Sequence, residues 1–272
     1  MHLATILQRP IPDLSRFRQG KVNYRTYPLI NGGARNDEPL VAVEEYGIAG
    51  QSHYSRPNAA TVHPVEGVDT TVYVRRGIAE KLAQINYALQ QSAEVAELIG
   101  GPVELYVDEG YRSAALQTYL YEEVFPRLIR EQHPDWTEQV VLHRRDELIA
   151  EPPVVGSPSP HLTGAAVDIN LRYQRPDLGY VHGCRVEMGH KSGKVGYASQ
   201  PDYFEYTMPT SKVEREAQRN RRIFYWVMRG ALLGDDTGFV VNPTEWWHWS
   251  YGDQLWAQIT DAPEAFYTTV VL

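Results

Sequence analysis

The segment AAVDINL at residues 165–171 constrains the fold of this chain more than any other. Its apolar side chains alternate with Asp168 and Asn170, which is the pattern of a strand that buries one face. An unpaired carboxylate in such a strand would be costly, so Asp168 needs a cationic partner: an arginine, a lysine or a metal ion. The pattern therefore predicts a sheet that carries a charged site.

Helical spacing of apolar residues predicts three helices. The first covers residues 75–100 and ends at a pair of glycines. The second begins near Ser113 and is bent or ended by Pro126, and the third covers residues 212–233. The apolar residues of the first helix recur at the required spacing: Ile78, Leu82, Ile85 and Leu89.

Strand patterns occur between and after these helices. They lie at residues 70–74, 103–107, 165–171, 237–241 and 245–251, and the last two are expected to pair around Asn242-Pro243-Thr244. Helices with mostly antiparallel strands around them indicate the α+β class. We expect one domain over residues 1–272, with a central, mostly antiparallel sheet flanked by helices and the charged site of Asp168 in a cleft on that sheet.

Two long segments show little periodicity. Residues 1–70 are rich in Pro, Gly, Asn and Tyr, which predicts an irregular extension packed on a catalytic core at residues 70–256. Residues 172–213 are predicted to form a long loop of the kind that shapes a cleft.

Composition and charge exclude several classes of protein. A net charge of −8 and an isoelectric point near 5.6 argue against binding to nucleic acid. Cys184 is the only cysteine, which excludes an internal disulfide and cysteine-rich zinc sites. The sequence lacks a long uncharged apolar run and the basic start of a signal peptide, so we expect no membrane span and a cytoplasmic location.

Four residues could form a catalytic metal site. His161 lies just before the strand of Asp168, and small residues between them leave room beside the carboxylate. The later motif EWWH supplies His248 and Glu245, which a bend or bulge in the strand would bring to one cleft. Two imidazoles and a carboxylate, with a fourth position open to water, are typical of catalytic zinc. A neighbouring carboxylate can accept the proton of that water.

Simpler interpretations exist for each half of this set. A His-x₆-Asp pair alone is weak evidence for a metal. His248 between two tryptophans also fits a packed core histidine, and Glu245 fits a surface position. The joint occurrence of both halves favours the metal site. Six other histidines show no ligand spacing and are interpreted as ordinary surface or core residues: His53, His63, His133, His143, His182 and His190.

Three motifs resemble, in order, those of the zinc D-alanyl-D-alanine peptidase family. SPHLTGAAVD (159–168) is similar to the Ser-x-His-x₆-Asp motif, DEGYRS (108–113) to the Asp-x-Tyr-Arg turn, and EWWH (245–248) to the Glu-x-x-His motif. The resemblance covers about residues 70–256. EWWH together with the helix containing NRR (220–222) is closest to the D-Ala-D-Ala dipeptidases of vancomycin resistance and dipeptide recycling.

The resemblance implies a role for six residues. His161, Asp168 and His248 would hold one zinc ion. Glu245 would be the catalytic base and later the acid. Arg112 would stabilise the oxyanion and Ser159 would contact the carboxylate of the substrate. Without the family, an ion pair of Arg112 with Asp108 or Glu109 is the favoured interpretation.

One segment departs from the dipeptidase pattern. The dipeptidases follow a Met-Gly pair shortly with Phe-Asp, and that aspartate holds the free amino group of the substrate. Here Met188-Gly189 is followed by Ser192-Gly193. Three acidic residues are candidates to replace the aspartate: Glu187, Asp202 and Glu205.

The sequence therefore predicts a zinc metallopeptidase that hydrolyses the dipeptide D-Ala-D-Ala. The alternative is a D,D-carboxypeptidase that removes the terminal D-Ala from peptidoglycan stem peptides. A third interpretation, a module that binds cell-wall peptides without cleaving them, is disfavoured because a binder has no use for Glu245 beside the metal. The expected partner is the dipeptide or a peptidoglycan-derived peptide, and no oligomeric state is predicted.

Overall fold

The computed structural model of the chain describes residues 2–18, 24–29, 35–57, 64–65, 68–149, 151–152, 159–174 and 185–270. The strands within these ranges are β1 Leu40–Ala42, β2 Ala49–Gly50, β3 Tyr73–Arg75, β4 Val103–Glu109, β5 Ala166–Tyr173, β6 Val240–Asn242 and β7 Glu245–Ser250. The α-helices are α1 Leu3–Leu7, α2 Arg76–Gln91, α3 Ala93–Ile99, α4 Ala114–Tyr119, α5 Phe125–Gln132, α6 Glu138–Leu148, α7 Tyr203–Tyr206, α8 Lys212–Met228 and α9 Gln254–Thr260.

Five strands form the central sheet, in the order β2-β4-β5-β7-β6. β2 runs parallel to β4, and every other neighbouring pair is antiparallel. β1 and β3 pair in a separate antiparallel ribbon. In β5, Val167, Ile169 and Leu171 are buried on one face, while Asp168 lies on the other, as the alternation predicts. The α+β class with a mostly antiparallel central sheet is confirmed.

The main apolar core lies between this sheet and helices α2 and α8. α2 buries Ile78, Leu82, Ile85 and Leu89, which are the residues at helical spacing in the sequence. α8 contributes Ile223, Phe224, Val227 and Met228. Burying each such side chain stabilises the fold by about 1.5–3 kcal/mol. Leu7, Ile11 and Leu14 of the N-terminal extension belong to the same core.

The boundaries of three predicted elements differ from the structure. The helix expected at 75–100 is two helices, because Ser92 ends α2 and caps α3 by accepting a hydrogen bond from the Val95 N–H at 3.2 Å. The strand expected at 70–74 is displaced to β3. The helix expected at 212–233 ends at Met228, before a left-handed Gly230 with φ +90°.

Pro126 does not interrupt the second helical segment. A π-helical turn at Leu120–Val124 joins α4 to α5, and the proline lies in the first turn of α5. Proline has no backbone N–H to donate. The wider π-helical turn ahead of Pro126 accommodates this, so the helical hydrogen bonds continue past it. The segment therefore continues to Gln132, with the irregularity just ahead of the proline.

The described part of the predicted long loop contains α7 and a 3₁₀ turn at Tyr197–Ser199. Three stretches on which predictions were made lie outside the described residues: 61–63 with His63, 153–158, and 175–184 with His182 and Cys184. Among the described helices, none combines the length and the apolarity that crossing a membrane requires.

Candidate metal centre and active site

Three elements bring His161, Asp168 and His248 together. Asp168 of β5 and His248 of β7 are direct cross-strand neighbours, with His248 Nδ1 3.1 Å from Asp168 Oδ1. His161 lies in a 3₁₀ turn at Pro160–Thr163 just before β5, and its Nε2 is 3.4 Å from the same oxygen. The chain reverses between turn and strand at Gly164, where φ is +68° and a Cβ would lie 2.8 Å from a methyl group of Leu40.

The geometry of these three side chains fits a zinc ion. Ligand atoms placed tetrahedrally at about 2.0–2.1 Å from zinc lie roughly 3.3 Å from one another. The two distances to Asp168 Oδ1 are 3.1 Å and 3.4 Å, and the three ligand atoms all lie within 4.8 Å of one another. The spacing is therefore that of a ligand set.

The orientation of the His161 ring also fits metal binding. Its Nδ1 lies 2.9 Å from the carbonyl oxygen of Gly110, which can only accept a hydrogen bond. Nδ1 therefore donates a hydrogen bond to this carbonyl group, and Nε2 is the nitrogen that faces Asp168. A metal-binding imidazole is commonly oriented in this way by a carbonyl group on its other nitrogen.

The Asp168 carboxyl is held in its charged form. Burial alone would raise its pKa, but the two imidazoles, His161 foremost, outweigh burial and keep the pKa below its ordinary value. Its ion pairs among the described residues are with imidazoles. An anionic oxygen between two nitrogens is a suitable ligand for zinc.

Glu245 lies beside the three residues through an irregularity in the sheet. The β6–β7 register passes from Val241 opposite Trp249 to Asn242 opposite Glu245, so extra residues of β7 bulge out. Glu245 Oε2 consequently lies 3.9 Å from His248 Nδ1, which confirms the predicted bulge. Burial raises the pKa of the Glu245 carboxyl, His248 opposes this, and the Asp168 carboxylate adds to it.

Arg112 follows β4 and is fully engaged by neighbouring side chains. Its Nε and Nη2 donate to Glu109 at 2.7 and 2.5 Å, and its Nη1 donates to Gln117 Oε1 at 2.7 Å. The predicted ion pair with Glu109 is present, whereas Asp108 pairs with other arginines. The guanidinium also lies 5.3 Å from the ring centre of Tyr54. Arg112 nevertheless lines the same cavity as His161, Asp168 and His248.

A cavity of about 310 Å³ opens onto this set. Ser159, only 2% exposed, forms part of its wall, as does Glu245. Sequence analysis missed several lining residues because none of the recognised motifs contains them. These include Phe17, Tyr24, His53, Tyr54, Phe125 and Gln258.

The segment that departs from the dipeptidase pattern also reaches this cavity. Gly193 lines it, with φ +79°, and a Cβ there would lie 2.7 Å from His53 Nε2. None of the three candidate replacements for the missing aspartate lines this cavity. Glu187 accepts a hydrogen bond from the Gly189 N–H, and the other two form ion pairs: Asp202 with Arg18 and Glu205 with Arg222.

A comparison with known protein families identifies the family of this chain. A family model described as D-ala-D-ala dipeptidase, peptidase M15, matches residues 48–266. The chain belongs to this family. A curated relative, the D-alanyl-D-alanine dipeptidase of Synechocystis sp., is 30% identical over 234 residues, which is 81% of this chain and 84% of the relative.

Two solved structures are more distantly similar. The first, VanYB in complex with D-alanine-D-alanine, is 17% identical, covers 74% of this chain and 83% of its own, and has a TM-score of 0.37. The second, the LdcB LD-carboxypeptidase, is 18% identical, covers 71% and 66%, and has a TM-score of 0.31. Similarity at this level carries no argument about the site.

Family membership makes the chain a metallopeptidase. Among the described residues, His161, Asp168 and His248 form a cluster that could bind the metal. The roles of Glu245, Arg112 and Ser159 stay predictions that their positions in the cavity make testable.

Proposed function

We propose that this protein hydrolyses the peptide bond of the dipeptide D-alanyl-D-alanine, using one zinc ion held by His161, Asp168 and His248. One observation carries the proposal: the three donor atoms lie within 4.8 Å of one another, with the carboxylate of Glu245 3.9 Å from one of them. Zinc, when bound, supplies a Lewis acid that makes water nucleophilic near neutral pH.

Glu245 moves the proton in this proposal. Its carboxylate accepts the proton of the attacking water and donates it to the leaving amino group. Asn242 Nδ2 donates a hydrogen bond to Glu245 Oε2 at 3.3 Å and so orients the carboxylate. A group that serves as a base and then as an acid works best when its pKa is raised, which is the direction that burial gives Glu245.

Arg112 and Ser159 act on the substrate in this proposal. Arg112 places a fixed positive charge beside the carbonyl oxygen that becomes negative during attack. Because Glu109 and Gln117 already hold the guanidinium, it needs no reorganisation at the moment of reaction. The Ser159 hydroxyl donates to the terminal carboxylate. The cavity of about 310 Å³ is near the lower end of ligand pockets, which suits a dipeptide.

A D,D-carboxypeptidase is the second candidate, and one observation favours it. Among the residues that the structure describes, the acidic ones that line the cavity are Glu109, Asp168 and Glu245, and each already faces a cationic or imidazole partner. The free amino group of a dipeptide would need another anion, whereas an acylated nitrogen would not.

The test measures zinc content and D-alanine release. We expect about one zinc per chain and release of D-alanine from free D-Ala-D-Ala, with loss of both after chelation. Release from an N-acylated tripeptide alone would assign the carboxypeptidase activity. Heat of binding without product in calorimetry would instead indicate a binding module. A cytoplasmic location belongs to the proposal and is checked by cell fractionation.

A further inference from the structure

A second cavity, of about 760 Å³, adjoins the first, and His53 lines both. We call it the arginine groove because Arg56 and Arg185 form part of its wall. Its other polar lining residues are Asn170, Glu187, His190, Lys191 and Ser192, and Trp246 and Met188 supply apolar surface.

The arginine groove lies next to the metal centre along β5. Asp168 lines the first cavity and Asn170 lines the groove. The two residues share one face of the strand, two positions apart, which corresponds to about 7 Å. A ligand that reaches the metal centre can therefore extend into the groove over one or two residues.

A buried carboxylate fixes the two arginines. Asp108, fully buried, accepts hydrogen bonds from both terminal nitrogens of Arg185, from Arg56 Nη2 and from Asn170 Nδ2. A register shift between Val107 and Glu109 places Asp108 at this position. The guanidinium groups are thus oriented before any ligand arrives, which reduces the entropy lost on binding.

The described residues of the groove carry an excess of positive charge. Among them, the guanidinium groups of Arg56 and Arg185 both pair with the carboxylate of Asp108, and the charge of Lys191 offsets that of Glu187. The side chains of Arg56 and Arg185 are 20% and 30% exposed, so a ligand can contact them. Guanidinium pairs preferentially with carboxylate and phosphate groups.

We propose that the arginine groove binds a carboxylate of the substrate on the N-terminal side of the cleaved bond. The inference rests on the second candidate of the proposed function, the D,D-carboxypeptidase, and specifies its substrates as acylated D-Ala-D-Ala peptides whose acyl part is acidic. In N-succinyl-D-Ala-D-Ala, the carboxylate lies six bonds from the cleaved carbonyl carbon, which is roughly 7 Å when extended. This matches the separation of Asp168 and Asn170 along the strand.

The test compares two peptides that differ only in charge. N-succinyl-D-Ala-D-Ala carries a carboxylate where N-succinamoyl-D-Ala-D-Ala carries a neutral amide of the same size. We expect kcat/KM of the zinc-loaded enzyme to favour the succinyl peptide by about tenfold, and the preference to shrink at high salt. Arg185→Gln and Arg56→Gln should each reduce the ratio towards one.

Arg172→Gln is the matched control. Arg172 contacts the Tyr106 ring, as Arg185 does, but it pairs with Glu104 and does not line the groove. The control should keep the ratio of the unmodified enzyme. A ratio near one in the unmodified enzyme, or a ratio unchanged in both groove variants, would overturn the inference. The first of these outcomes is measured on the unmodified enzyme, so it does not depend on whether a variant folds.

Failure of the proposed function would be recognised separately. In that case neither acylated peptide would be hydrolysed, whether or not the free dipeptide is. Isothermal titration of the zinc-loaded protein with the same two peptides then decides the inference. Binding of the succinyl peptide about tenfold tighter supports the groove, and equal binding refutes it.

Discussion

Asp168 illustrates how one residue can direct a whole site. A carboxylate on a buried sheet is tolerated only with compensating charge, and here two imidazoles on neighbouring elements supply it. The same arrangement leaves three donor atoms facing one point. The need to compensate a buried charge and the ability to bind a metal thus have a common structural origin.

At the residue scale, Glu245→Gln separates metal binding from proton transfer. Glutamine keeps the shape of the side chain but cannot accept the proton of water, so we expect turnover to fall by about 100-fold or more with zinc content unchanged. Steady-state kinetics and metal analysis measure the two quantities. Glu264→Gln, at an exposed position, is the matched control. Turnover retained in Glu245→Gln would remove Glu245 from the mechanism.

The hydrogen bonds of the Arg112 guanidinium group to two neighbours support a second prediction at this scale. Lysine at this position keeps the positive charge but cannot bond to Glu109 and Gln117 together. We expect Arg112→Lys to lower kcat by about tenfold to 100-fold, with little change in zinc content. An unchanged kcat would mean that Arg112 is only a structural partner of Glu109.

At the element scale, α8 organises the wall of the arginine groove. Arg221 is buried in this helix and donates to the carbonyl groups of Met188, Ala198 and Gln200 at 2.7–2.8 Å. Burial lowers the pKa of its guanidinium to about 9. One side chain therefore connects the helix to three points of the segment that follows β5.

Arg221→Lys tests this connection. Lysine cannot reach three carbonyl groups in fixed directions, so we expect a loss of about 3 kcal/mol in the free energy of unfolding. Amide hydrogen exchange should also become faster in residues 188–200. Arg215→Lys, at an exposed position of the same helix, should change neither quantity. Equal exchange in both variants would argue against the role of Arg221.

The first turn of α8 gives a prediction about pH. Glu214 accepts hydrogen bonds from the Thr210 hydroxyl and from the backbone N–H groups of Thr210 and Ser211, which lower its pKa to about 2 from an ordinary value of 4.5. Because the folded pKa is the lower one, the stabilisation is complete above about pH 5 and disappears as the pH falls towards 2.

Melting temperatures of Glu214→Gln check this dependence. The difference in Tm between the unmodified chain and the variant should be largest near pH 6 and should shrink steadily between pH 4.5 and 2. Glu264→Gln serves again as the control. A difference that stays constant across this range would show that the carboxylate charge does not stabilise the helix.

At the scale of the whole molecule, the metal would join distant parts of the chain. Its three ligands come from a 3₁₀ turn, from β5 and from β7, which are separated by up to 87 residues between His161 and His248. Bound zinc would therefore resist separation of these elements. A ligand at 100 times its Kd stabilises the folded state by about 2.7 kcal/mol.

Removal of the metal should accordingly lower Tm. For a chain of this size we expect a decrease of roughly 5–10 °C on chelation, with recovery when zinc is restored. His161→Ala should bind little zinc and should lose the response to chelator. A Tm that does not respond to zinc in the unmodified chain would contradict the assignment of the site.

Sequence alone indicated the class of the fold and predicted that His161, Asp168 and His248 come together with Glu245 beside them, as they do in the structure. These depend on local rules: alternation along β5, helical spacing in α2, and short motifs whose residues stay close in space wherever the motif folds. The ends of the helices were less predictable, since the break at Ser92 and the continuation past Pro126 depend on capping and on a π-helical turn.

Tertiary structure alone decided which distant side chains share each cavity. Arg56 and Arg185 meet at Asp108 across 129 residues, and His53 reaches the first cavity from a segment without periodicity. Arg112 had two acidic neighbours in sequence, and a register shift in β4 turned one of them towards the groove and the other towards Arg112. Such pairings are set by strand register and long-range packing, because each element contributes only one side of a contact that the folded chain completes.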